Sequence, residues 1–268
     1  MPNPIPPHSE RRPVAYLNEK FLNSPDARAL RMLSEFLEPL AHFRREKVRD
    51  TVVFFGSARL REGEGHLARY YEDARTLARM LTEWSRQYTN STYRFVVCSG
   101  GGPGIMEAAN RGAADAGGKT VGLNIGLPFE QYPNPYITPE LSFEFHYFFM
   151  RKFWFAYLAK ALVVFPGGYG TLDEMMEILT LTQTQKLAKK MTILLYGSAY
   201  WKEIINFDAL VKYGMIAPDD LNLFQFADDP ATAFEMLKTG LAVYAAQHDT
   251  PEMPALSQSV IPRKPEGA

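Results

Sequence analysis

Two hydrophobic periods share this chain. Short β-branched and aromatic runs recur at 51–55, 93–98, 120–124, 161–165 and 192–196. They are nearly continuous in apolar character, as expected of strands covered on both faces. Residues 141–145 alternate and predict a further short strand, and 222–226 offer another. Between these runs the spacing changes to that of helices. A helix is predicted over 26–47, where Leu30, Leu33, Phe36, Leu37 and Leu40 recur and Pro39 is a point of kinking or division. Others are predicted over 65–86, 105–116, from the loop at 166–170 to about 186, and over 200–212 and 230–247. The segment 146–159 is apolar on nearly every side and is expected to be buried. Arg44, Arg45, Glu46 and Lys47 read as a solvated face. Strand alternates with helix throughout, which predicts an α/β fold: one doubly wound parallel sheet flanked by helices, with an N-terminal helical extension. Ligands of such sheets gather at the carboxyl ends of the strands.

Two of the predicted strands run into glycine loops that open helices. One loop is Ser99-Gly100-Gly101-Gly102-Pro103-Gly104; the other begins the stretch Pro166-Gly167-Gly168-Tyr169-Gly170-Thr171-Leu172-Asp173-Glu174. A helix N-terminus behind such a loop favours an anion, most simply a phosphate; the plain alternative is a tight turn. Neither loop is G-x-G-x-x-G, and no G-x-x-x-x-G-K-[ST] occurs. A monophosphate therefore suits them better than a pyrophosphate or a magnesium triphosphate.

Several charged residues change the picture further. Thr171-Leu172-Asp173-Glu174 fits a capping box, which would make Glu174 structural. Alternatively Glu174, near the edge of the apolar arc with Asp173 and Glu177 on the polar face, faces a cleft where desolvation raises its pKa toward that of a base. Arg151 lies in the apolar run 147–155 and is the buried cation of the pair Arg151-Lys152. Its partner would be a structural carboxylate, a phosphate, a ribose hydroxyl or Glu174. Glu107 and Arg111 are spaced to pair on one helix.

Composition mostly excludes. The chain has 268 residues, 46% of them hydrophobic, and a formal net charge of −1, so nothing points to nucleic acid or an anionic membrane. The single cysteine, Cys98, reads as a core residue and fits a reducing cytoplasm. The five histidines show no metal-ligand spacing, so no metal site is expected. There is no G-x-S-x-G elbow, no cofactor motif is evident, and the methionines read as core. No signal peptide or membrane span is expected. Proline-rich residues 1–25 and 249–268 are expected to be a disordered lead-in and tail, leaving 26–248 as one domain.

Taken together these residues resemble the LOG family of lysine-decarboxylase-like Rossmann proteins. Pro166 to Glu174 carries the P-G-G-x-G-T-x-x-E signature. Arg151-Lys152 matches the end of M-x-x-R-K, with Met150 directly before the arginine. Gly101 to Met106 matches G-G-x-G-x-M, and Gly56-Ser57 also fits. The resemblance, over roughly 50–230, implies a Rossmann-like fold and phosphoribohydrolase chemistry: a nucleoside 5′-monophosphate cut to free base and ribose 5-phosphate. It implies Arg151 and Glu174 as the catalytic pair. Gly56, Ser57, Gly102, Gly104, Met106, Lys152, Gly168, Tyr169, Gly170, Thr171 and Thr180 would lie in the substrate site. Glu130 is the candidate for the carboxylate of the preceding loop. The Gly102-to-Ala108 run resembles a longer branch rather than the plant cytokinin enzymes, so the expected substrate is AMP-like, with a cytokinin riboside monophosphate as a further possibility. Relatives of this kind are dimers or higher oligomers, and the 146–159 helix is a candidate interface. Tyr132, Tyr136, Phe148, Phe149 and Trp154 are candidates for a base pocket. The alternative reading is a nucleotide-binding sensor or carrier without turnover.

Overall fold

A computed structural model of the chain describes residues 12–88, 91–127, 132–187 and 189–246. In chain order these form α1 (Glu19–Leu22), α2 (Arg28–Arg45), β1 (Thr51–Phe55), α3 (Arg69–Ser85), β2 (Val96–Ser99), α4 (Ile105–Asp115), β3 (Thr120–Ile125), β4 (Ser142–Phe145), α5 (Phe148–Leu158), β5 (Ala159–Val164), α6 (Tyr169–Gln183), β6 (Thr192–Tyr196), α7 (Ser198–Ile204), α8 (Phe207–Lys212), β7 (Gln225–Ala227) and α9 (Pro230–Ala245). The seven strands form one sheet in the order β4-β3-β2-β1-β5-β6-β7, and every pairing is parallel. The chain winds outward from β1 to β4, returns to lay β5 against β1, and winds the other way. The switch point thus lies between β1 and β5.

Alternation along the strands divides the core in two. In β1, Val53 and Phe55 face one layer, with β5 residues Leu162 and Val164 and side chains of α2, α5, α6 and α7. Val52 and Phe54 face the other, against α3, α4 and α9. All five β1 residues are buried, which explains the unbroken apolar run. Cys98 is 2% exposed and burial pushes its thiol up, so it is a core residue as expected.

Several expectations need correction. The run at 93–98 does not start its strand at Tyr93: Phe95 has φ +54. The cause is buried Asp50, which accepts from Phe95 N at 2.5 Å and from Arg94 Nε at 2.8 Å, drawing Arg94 inward before β2 begins. The single helix expected over 200–212 is two helices, because Asn206 caps α8 by accepting from Ala209 N. Pro39 neither ends nor divides α2; it is buried within it. Of the stripe expected on that helix, Leu30, Leu33 and Leu37 are half exposed, and α2 instead buries Pro39, Leu40 and Phe43. Likewise α5 is not buried all round: Trp154, Phe155 and Leu158 are, but Phe148 and Phe149 are half exposed. Arg111 binds Glu62 at 2.7 Å, while Glu107 accepts from the Tyr71 hydroxyl. Within the expected lead-in, 15–17 and α1 are helical turns, held by Arg31 Nη1 donating to Leu22 O and Ser24 O. Residues 1–11 and 247–268 lie outside the described residues.

Candidate active site

The three loops leaving β1, β2 and β5 meet at the carboxyl edge of the sheet, beside the switch point. They are bonded to one another. Phe165 N donates to Phe55 O (2.8 Å), Ser57 N to Pro166 O (3.0 Å) and Ile105 N to Ser57 O (3.1 Å). Gly104 sits at φ +70, and a side chain there would strike the Ser57 carbonyl, so the α4 turn needs glycine twice over. From α7, the Tyr200 hydroxyl donates to Gly167 O at 2.8 Å.

Two helices that open directly from these loops, α4 and α6, offer backbone donors. In α4, Ile105 N is taken by Ser57 and Ala108 N closes on Gly104 O. Met106 and Glu107 N–H therefore have no acceptor within the helix. In α6, Leu172 N closes on Gly168 O, which leaves the N–H groups of Tyr169, Gly170 and Thr171 in the same position. Among the described residues, and apart from their own chain neighbours, no atom lies within 4 Å of where a Cβ would stand on Gly168 or Gly170, so this backbone is open to close approach.

Beside these helix ends, α5 and α6 bring together a charged cluster. Arg151 Nη2 donates to Glu174 Oε1 at 3.2 Å, and Lys152 Nζ lies 3.4 Å from Glu174 Oε2. Lys152 also pairs with Asp173 (2.8 Å) and Glu177 (2.7 Å). The Arg151 guanidinium is flanked by the rings of Phe148 (5.3 Å) and Phe155 (5.4 Å), which fixes its plane. Arg151 Nε is buried and has no hydrogen-bond partner among the described residues.

Glu174 is 4% exposed. The capping-box reading fails, because α6 starts earlier: Gly168 is the N-cap and makes no side-chain cap bond. Glu174 is the sixth residue of the helix, past the capping turn. Burial raises its pKa above the ordinary carboxylate value, opposed by the charges of Lys152 and Arg151. Burial also pulls on the Lys152 ammonium, but its three carboxylate neighbours outweigh that and its pKa is raised.

The family described as "Possible lysine decarboxylase" matches residues 106–237. Among curated proteins, the chain is 30% identical over 179 residues to the cytokinin riboside 5′-monophosphate phosphoribohydrolase LOG of Oryza sativa subsp. japonica, spanning 66% of this chain and 67% of that protein. The chain belongs to the LOG family. A second LOG protein, the cytokinin riboside 5′-monophosphate phosphoribohydrolase LOG3 of Arabidopsis thaliana, is 29% identical over 209 residues, 76% of this chain and 87% of that one. Among solved structures, TM1055 aligns with TM-score 0.50 and 21% identity over 71% of this chain and 99% of that chain. The molybdenum cofactor carrier protein of Chlamydomonas reinhardtii aligns with TM-score 0.47 and 21% identity over 72% and 99%. The TM1055 likeness shows the fold alone, and the lower carrier score adds nothing to it.

In this LOG-family chain Arg151, Lys152 and Glu174 meet directly, and Gly168, Tyr169, Gly170 and Thr171 form the first turn of their helix. Gly56, Ser57, Gly102, Gly104 and Met106 belong to the joined loops; Gly56 is where Ile105 packs against the β1 turn. Thr180 stands apart, six residues beyond Glu174 or about 9 Å along the axis, exposed, its hydroxyl donating to Met176 O. Glu130 lies outside the described residues. Of the aromatic candidates, Phe148 touches Arg151. Trp154 is core, bonded to Glu35 O, and Tyr136 lies against Arg111.

Sequence reasoning missed the polar residues that hold the loops: Ser99, Asn110, Asn134 and Tyr200. Asn134 carried no local signal, since the side-chain amide bonds Gly101, Gly102 and Asn110, 24 to 33 residues away in sequence. The family description would imply a pyridoxal-phosphate lysine, and the lysine of this site does not fit one. Lys152 is held protonated by carboxylates, the opposite of an amine ready to condense. Lys189, whose pKa is lowered, is at the amino edge of the sheet, bonded to Ala156 O and Tyr157 O.

Proposed function

We propose that this LOG-family chain hydrolyses the N-glycosidic bond of nucleoside 5′-monophosphates, giving free base and ribose 5-phosphate. One observation carries the reading: a buried carboxylate, Glu174, bonded to Arg151 beside two helix N-termini whose first-turn N–H groups are free to take a phosphate. The LOG relatives, named as phosphoribohydrolases of cytokinin riboside 5′-monophosphates, supply the reaction class.

In this reading the 5′-phosphate lies against the first turns of α4 and α6, among Gly102, Gly104, Met106, Gly168, Tyr169, Gly170 and Thr171. Gly56 and Ser57 support that floor from behind. Cleavage develops positive charge on the ribose, as in other glycosyl transfers. Glu174 stabilises that charge and takes a proton from the attacking water as its oxygen bonds to C1′. The electron pair of the C1′–N bond leaves with the base, which is protonated in turn. Arg151 and Lys152 keep the Glu174 carboxyl oriented, and the raised pKa of Glu174 moves it toward a useful base. The substrate assigned is AMP-like, a cytokinin riboside monophosphate being a second candidate, and the compartment is a reducing cytoplasm. We also propose a homo-oligomer joined through the exposed apolar faces of α2 and α5, which light scattering would detect as a dimer or larger species.

The deciding test is chromatography of reactions with AMP, GMP, CMP, UMP and an isopentenyladenine riboside monophosphate, beside Glu174→Gln. Base released by wild type and not by the variant is the expected outcome. Tight AMP binding without any base release would replace the hydrolase with a nucleotide sensor or carrier.

A further inference from the structure

We infer that Asn134 is a positioning residue: it presets the face that the Gly100–Gly104 loop turns toward a 5′-phosphate. The inference rests on the proposed function in one respect, that this loop takes the phosphate. Asn134 reaches the loop from the β3–β4 connection and is 6% exposed. Its Nδ2 lies 3.1 Å from Gly101 O, 3.1 Å from Gly102 O and 2.9 Å from Asn110 Oδ1. Its backbone N donates to Gly101 O at 2.8 Å, and its Oδ1 accepts from Tyr136 N.

The direction of this amide is fixed by its neighbours. Asn110 donates through Nδ2 to Val121 O, so its Oδ1 is the acceptor. That oxygen also receives Ser99 Oγ at 2.6 Å, and Ser99 Oγ in turn accepts from Gly101 N. A flipped Asn134 would set an oxygen against three oxygens. As it stands, the carbonyls of Gly101 and Gly102 are both held on the Asn134 side. In a trans peptide the next N–H points opposite to the carbonyl, so Gly102 N–H is turned away from Asn134. Gly101, at φ +74, is backed by the Asn124 amide and has no room to reorient with a side chain attached. The loop therefore holds the Gly102 N–H outward before any ligand arrives, and a preset donor costs no reorganisation on binding.

Asn134→Ala and Asn134→Asp test this. The aspartate keeps the size but, ionised, faces acceptors with an acceptor. The readouts are kcat and KM for the nucleotide that wild type cleaves, and calorimetric affinities of AMP and adenosine measured in the Glu174→Gln background. Expected is a KM increase of at least about tenfold with kcat changed less than about threefold. The preference for AMP over adenosine should collapse, more so for the aspartate, and recover in part toward pH 5 as that carboxyl gains a proton it can donate. A lowered melting temperature with an unchanged AMP-to-adenosine preference would overturn the inference, since a purely structural residue behaves that way. If neither variant folds, Ser99→Ala releases the Gly101 N–H and must erode the same preference; retention there overturns the inference too. Loss of the preference in a protein that cleaves no nucleotide would uphold Asn134 and remove the hydrolase reading. Turnover with KM unmoved would do the reverse.

Discussion

Glu174 is held between two opposing effects, and both are measurable. As the proposed base its removal is direct: Glu174→Gln should lower kcat by on the order of 10²–10⁴ with AMP affinity largely kept, read by base release and calorimetry. Its effect on stability follows from burial. The folded protein binds the Glu174 proton more tightly than the unfolded chain, because burial outweighs Lys152 and Arg151 and raises the pKa above 4.5. Its stabilising contribution is therefore complete below that value and is lost as pH rises through the raised folded value. The glutamine cannot ionise, so its melting temperature relative to wild type should climb as pH rises above about 4.5. A flat or falling difference would reject burial as the dominant influence on this carboxyl. At this scale the sequence revealed Arg151 because an arginine in an apolar run demands a partner. It left Thr171 open as a cap beside the cleft-facing reading of Glu174, since T-x-x-E recurs by chance wherever a helix starts a turn earlier. It hid Asn134, whose acceptors come from the glycine loop and Asn110, distant in sequence.

Single elements depend on contacts that periodicity does not report. The α5 helix ends without a loop, running straight into β5, and Lys189 Nζ satisfies its last carbonyls at 2.7 and 2.9 Å. Burial, helped by the nearby charge of Lys160, lowers this ammonium to about 7. The unfolded chain then holds the proton more tightly than the folded protein between that value and the ordinary 10.5. Stability from this group rises with pH across the window and is lost below it. The melting-temperature advantage of wild type over Lys189→Met should accordingly widen between about pH 6.5 and about pH 9.5, and a constant gap would refute the shift. Elsewhere, α3 and α4 pack through Gly112, where a Cβ would run into the Arg75 carbonyl. Gly112→Ala should cost about 1–3 kcal/mol in denaturant unfolding. Strand and helix order was legible throughout, because burial on both faces writes itself into apolar runs. The outward face of α5 was not, because Phe148 lies over the partly buried Arg151, which is hardly more buried than Lys152, and so presents an aromatic where a solvent-facing polar residue would be expected.

For the molecule as a whole, one ion pair and one set of loop bonds fix how the parts meet. Asp50 and Arg94 are both nearly fully buried, 2.8 Å apart, and Arg94 Nη2 also donates to Tyr244 O in α9. The pair fastens β1, the entry to β2 and the last helix at the amino edge of the sheet. Asp50→Ala would strand the arginine and should cost about 3–5 kcal/mol, seen as a lower urea midpoint with an unchanged slope. Neither residue stood out in the sequence, because a lone Asp before one strand and an Arg before another look like ordinary strand-edge charges. At the opposite edge, Ser57 bonds both to Pro166 and to Ile105. The candidate site is thus assembled from stretches that the ribosome delivers far apart in time. A chain released before β5 has emerged holds α4 but has neither Glu174 nor the partner that seats Ser57. No early fragment carries a half-built site: the loops, the helix ends and Glu174 come together only once β5 and α6 have joined the sheet.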